Sequence, residues 1–177
     1  EEALERVAQL PASPENLRRA IDVRTGLHAP LFVVGQVPRL IQLHQEAEDL
    51  ARRLDDQPRL ASISARMSTY SSMEARYADG VEYGQRALRI ATALHDPERR
   101  IEACYALGVN HEARGDHRAA IDLFTRALKM EPRYAEAWRG LTLAHAAAKH
   151  AGAAREALER YLALRPGASD AASLRAR

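Results

Sequence analysis

His111-Glu112 followed by Asp116-His117 is the densest group of metal-capable and acid–base side chains in this sequence. A helical zinc pair needs its histidines four residues apart, so that both point from one face. Here the second histidine stands six positions after the first, with Gly115 between them. The spacing therefore predicts no metal site, and His111 and His145 are expected to fill packing positions. Cys104 is the only cysteine, which excludes an intrachain disulfide and fits a reducing compartment such as the cytoplasm. It falls on an apolar stripe, where a thiol acts as a small hydrophobe rather than a nucleophile. No Gly-Lys-Ser/Thr occurs, so no phosphate loop can form, and no Ser/His/Asp or Cys/His set is arguable. The residues predict a protein that is no enzyme and needs no cofactor.

Charge and composition narrow the partners. The 177 residues carry a formal net charge of +2, and the arginines are interleaved with acids, as in Arg52-Arg53 before Asp55-Asp56. A nucleic-acid surface wants a basic stripe with stacking aromatics, so nucleic acid is not expected. The longest apolar run, Leu31-Phe32-Val33-Val34, is far short of a membrane span. Hydrophobic residues at 46% against 28% charged predict a folded core, and abundant alanine with 5% aromatics predicts helices packed closely. The chain opens on Glu1-Glu2 rather than Met, which predicts a segment of something longer.

What positions these residues is a repeat. Cys104, Leu107, Gly108, His111, Ala120, Phe124, Ala127 and Pro132 recur in the same order, at one constant offset, as Trp138, Leu141, Thr142, His145, Ala154, Leu158, Tyr161 and Pro166. Upstream the step is longer: Leu107 maps to Met67 and Leu27, Ala127 to Ala87 and Ala47, and Gly115 to Ala75 and Gly35. Apolar periodicity and proline punctuation predict helices near 2–10, 14–35, 38–55, 58–78, 80–95, 97–114, 117–130, 134–148 and 151–164, with a frayed tail after Ser169. Pro30 should kink or split the second of these. Gly35, Gly80 and Gly115 are expected at or near the turns between helices.

Residues 101–168 resemble tetratricopeptide repeats, whose unit of about 34 residues matches the offset and signature just quoted. The resemblance implies an all-α solenoid of antiparallel helix pairs, about four repeats with partial ends. It forms one domain over 1–177, with units near 14–58, 59–98, 99–134 and 135–168 and a tail at 169–177. Each pair shelters its neighbour's apolar side, and the stack leaves a groove for a peptide or protein. Carried onto this chain, the groove positions are Thr69, Met73, Glu102, Tyr105, Val109, Glu112, Glu136, Arg139 and Leu143. The family's carboxylate clamp uses Lys and Asn where this chain has Tyr105, Val109, Arg139 and Leu143, so that mode is not expected.

The first hundred residues add a second resemblance. Ala20-Ile21-Asp22-Val23-Arg24, the run from Pro30 to Gln36, the run from Glu46 to Asp56, and Gly84-Gln85-Arg86-Ala87-Leu88 are similar to one helical region. It lies behind the ATPase module of bacterial multidomain signalling proteins, above all those with class III adenylate or guanylate cyclase domains. That implies a regulatory arm binding a peptide, a partner protein or another domain of its parent. No strand pattern is present to carry cyclase aspartates. The alternatives are self-association through exposed solenoid ends, or a small-ligand sensor domain of a transcription regulator.

Overall fold

A computed structural model describes residues 2–175; Glu1, Ala176 and Arg177, and with the last two the end of the expected tail, lie outside the described residues. The described residues form helices and turns with no strand. They are α1 (Glu2–Ala8), α2 (Pro14–Gly26), α3 (His28–Val33), α4 (Val37–Arg53), α5 (Gln57–Met73), α6 (Tyr77–Ala93), α7 (Pro97–Ala113), α8 (His117–Met130), α9 (Ala135–Ala147), α10 (Ala151–Leu164) and α11 (Ala171–Arg175).

The lengthened step has a simple origin. Helices α4, α5, α6 and α7 are each 17 residues long. The residues with positive φ that end helices fall at equal intervals, at Gly35, Asp55, Ala75, His95 and Gly115, and then at Lys149. Each of these turns has the same pair of backbone bonds. At the second, Asp55 N donates to Arg52 O and Asp56 N to Ala51 O; at the last, Lys149 N donates to Ala146 O and His150 N to His145 O. This is the Schellman arrangement, in which a left-handed residue turns the chain and satisfies the last carbonyls. A side-chain cap then restarts the chain: Asp56, Asp96 and Asp116 accept from the backbone N of Arg59, Arg99 and Ala119.

Packing follows the repeat. Leading helices α5, α7 and α9 pack side by side, whereas their partners α4, α6, α8 and α10 pack on leading helices and hardly on each other. Closer spacing among the leading helices puts them on the inside of the curve. In the C-terminal core, Phe124 of α8 wedges between α7 and α9, whose Gly108 and Gly140 leave room for its ring. In the N-terminal core, α4 and α5 bury Leu40, Ala47, Ile63 and Tyr70 together with Ile21 of α2.

Pro30 splits its helix as expected, and two other expectations need correction. The helix placed at 14–35 breaks at Leu27, because the Pro30 ring needs the space of the Gly26 carbonyl, the last residue of α2. Gly80 is not at a turn; it is buried inside α6, and Ala75 makes the turn. The segment after Ser169 is not frayed throughout: α11 forms and buries Leu174 against Ala135 and Tyr161.

Candidate functional site

The residues expected to line a groove stand on the leading helices α5, α7 and α9. At its centre Tyr105 of α7 is half-buried, its ring 6.0 Å from Phe124 and 5.3 Å from Tyr134 by centroids. Burial raises the Tyr105 hydroxyl above the usual phenol range, with Glu136 adding to the effect. Glu102 stands one turn earlier on α7. Lost hydration raises its carboxyl above the usual carboxylate range, against the attraction of Arg66 on α5. Val109 packs sideways on the C-terminal core. Thr69 is half-buried, and its hydroxyl donates to Ala65 O at 3.3 Å. Met73, half-exposed, and Glu112 stand at the C-terminal ends of α5 and α7.

In the last unit the charged positions are engaged within the chain. Arg165 donates to Glu136 at 3.0 Å, and Arg139 donates to Asp170 at 2.5 Å. The Asp170 carboxyl is held below its usual range by the Arg139 hydrogen bond, and Tyr161 also donates to it, at 3.0 Å. Leu143 packs into the cluster formed by Ala135, Tyr161 and Leu174. A cleft of about 510 Å³ remains beside Glu136, Arg139, Tyr161 and Arg165. A second, of about 330 Å³, opens at the other end between Asp22, Arg59, Arg66 and Arg99. There Arg59 forks onto both Asp22 oxygens at 2.8 Å each, tying α2 to α5.

Tyr134 meets Tyr105, Asp170 pairs with Arg139, and Asp22 and Arg66 line the second cleft, although spacing within each helix did not point to them. Asp170 had a readable signal, lying one further repeat step beyond Glu136, as Glu136 lies beyond Glu102. Tyr134 and Arg66 had none, since Tyr134 is a helix N-cap and Arg66 of α5 falls outside the expected groove positions.

The histidines take structural roles. His111 Nδ1 lies 3.1 Å from Asp116 Oδ2. At the equivalent place in the next repeat, His145 Nδ1 lies 3.3 Å from His150 Nδ1, so each spans its helix-ending turn. His117 opens α8. Cys104 is buried and its thiol is pushed up by that burial, away from thiolate chemistry. Among the described residues no three His, Cys, Asp or Glu side chains group to hold a metal ion, and no helix is long and apolar enough to cross a membrane.

Comparison with known proteins gives the fold a family. No curated protein matches the chain. Among solved structures, that of BtubC (BKLC) from P. vanneervenii superposes with a TM-score of 0.76, at 18% identity over 93% of this chain and 70% of that one. YrrB, described as a TPR protein with an unusual peptide-binding site, covers 93% of this chain and 100% of its own at 16% identity, with a TM-score of 0.42. The tetratricopeptide repeat family matches residues 68–130 and again residues 105–169. With that signature running over 68–169 and the helices stacked pairwise as it requires, the chain belongs to the tetratricopeptide repeat family.

Proposed function

We propose that the face of leading helices holds an extended segment of a protein, either a separate partner or another domain of the parent chain. Tetratricopeptide repeats generally mediate protein–protein interaction and are non-catalytic, and no catalytic family matches here. The observation that carries the proposal is the Tyr105–Tyr134 pair, an aromatic floor between Glu102 and Glu136 in the middle of the face. Such amphipathic rings give contact area at little entropic cost, while flanking carboxylates orient a chain through its N–H groups and cations. Thr69, Met73, Val109, Glu112, Arg139 and Leu143 complete the contact surface. The similarity of residues 14–130 to the arm behind signalling ATPases supports a regulatory role in a bacterial cyclase or ATPase protein, acting in the cytoplasm. A photo-crosslinking residue at position 109 tests the reading. Covalent capture of a partner, or of another domain of the full parent chain, that is lost in Tyr105→Ala supports it; capture that survives this change rejects it.

A second reading, association of copies, is favoured by Phe32, Val33 and Val34, which are 43%, 85% and 66% exposed at the end of α3. Light scattering decides it: a monomer at every concentration excludes self-association.

A further inference from the structure

On the side away from the proposed groove, α4 and α6 frame a cleft of about 240 Å³. Four guanidinium groups line it, from Arg52, Arg76, Arg86 and Arg89, against the carboxylates of Asp79 and Glu82. The lining is therefore two positive charges in excess. Buried Glu48 lies beneath and offsets one of them, since it pairs with both Arg52 and Arg86. Asp79 holds Arg76 at 2.9 Å. Arg89 has no ion pair among the described residues, and Arg86 keeps one buried Nη2 donor without an acceptor.

The arrangement is fixed rather than a brush of loose side chains. Arg86 donates from Nε to Ser64 Oγ at 2.9 Å and from Nη1 to Glu48 at 2.7 Å, and its guanidinium lies 4.9 Å over the Tyr83 ring. Tyr83 shares the lining with Arg52 of α4, with Arg86 and Arg89 of α6, and with Arg76, which caps α6. We propose that this cleft between α4 and α6 binds a phosphate group, free or esterified. A flat carboxylate would engage one guanidinium fork. A tetrahedral phosphate offers acceptors toward both helices at once, and the one positive charge left in surplus after Glu48 attracts it.

Arginine Nε–Hε signals of the whole chain, followed by NMR at constant ionic strength, test it with two probes: inorganic phosphate and N-acetyl-O-phosphoserine amide. The expected result is a saturable displacement at Arg52, Arg76, Arg86 and Arg89, with Arg160 of α10, which does not line the cleft, stationary. Arg89→Gln, which removes no ion pair, should weaken it about tenfold at an unchanged melting temperature. Saturation by phosphoserine alone assigns an esterified group, and by phosphate alone the free ion. Displacement that never saturates with either probe, that moves Arg160 equally, or that persists unchanged in Arg89→Gln overturns the proposal.

Discussion

Gly80 lies directly against Asn110: a Cβ placed on Gly80 would fall 2.0 Å from Asn110 Oδ1. Asn110 is fully buried on α7, where its Nδ2 donates to Ser68 O, Ser68 Oγ and Ala106 O at 2.9 to 3.0 Å. Ser68 in turn donates to Gly80 O at 2.7 Å. One polar node thus pins α5, α6 and α7 together, and the bare α-carbon of Gly80 admits it.

Gly80→Ala should therefore cost about 2–3 kcal/mol, by displacing a buried amide from its acceptors. Urea denaturation measures it. A change below about 0.5 kcal/mol would mean that the node yields freely, and Asn110→Ala in the same background should then be equally mild.

Phe124 makes the matching contact in the C-terminal half, where a Cβ on Gly108 or Gly140 would sit 2.8 or 2.6 Å from its ring. Gly108→Leu should overpack this site by about 1–3 kcal/mol. Shrinking the wedge in a Gly108→Ala, Phe124→Leu double variant should recover part of the Gly108→Ala loss. Thermal melts showing strictly additive losses would place the strain elsewhere.

Ala75 holds φ at 56° in a turn whose counterparts are Gly35 and Gly115. A left-handed Cβ costs about 1 kcal/mol, so Ala75→Gly should raise stability by up to about that amount, less the added entropy of the unfolded glycine. His95→Gly should act alike. A lower denaturation midpoint in both would refute the reading of these turns as strained.

His44 gives the fold a pH dependence. It is wholly buried; its Nδ1–H donates to Leu40 O at 2.9 Å, leaving Nε2 to accept from the Tyr70 hydroxyl at 3.4 Å. Tyr70 in turn lies 2.6 Å from His28 Nδ1. Burial lowers the His44 pKa to about 4, with Arg66 and His28 acting the same way and the Leu40 bond opposing. The unfolded chain then binds the extra proton first. This contribution is complete above about pH 6.5 and is lost as pH falls toward 4, a total of about 3 kcal/mol. Denaturation midpoints at pH 7.5 and 4.5 should differ clearly in the parent and less in His44→Gln. Equal shifts in both would assign the acid sensitivity to other groups.

Local chemistry was readable in the sequence: the all-helical class, the shorter and longer repeat steps, the equivalence of Gly35, Ala75 and Gly115, and the acid column through Glu102 and Glu136. Each follows from near-neighbour physics, since helix periodicity, caps and left-handed turn residues act within a few positions of themselves. Gly80 was misplaced for the same reason, because a glycine's turn role and its close-packing role look identical until the facing side chain is known. Only the tertiary structure set Asn110 against Gly80, brought Tyr134 to Tyr105, locked Arg139 onto Asp170 and gathered arginines of α4 and α6 around Tyr83. Those pairings depend on how far one helix is turned and shifted against the next, and that is settled by the packing of whole helix faces rather than by any short stretch of residues.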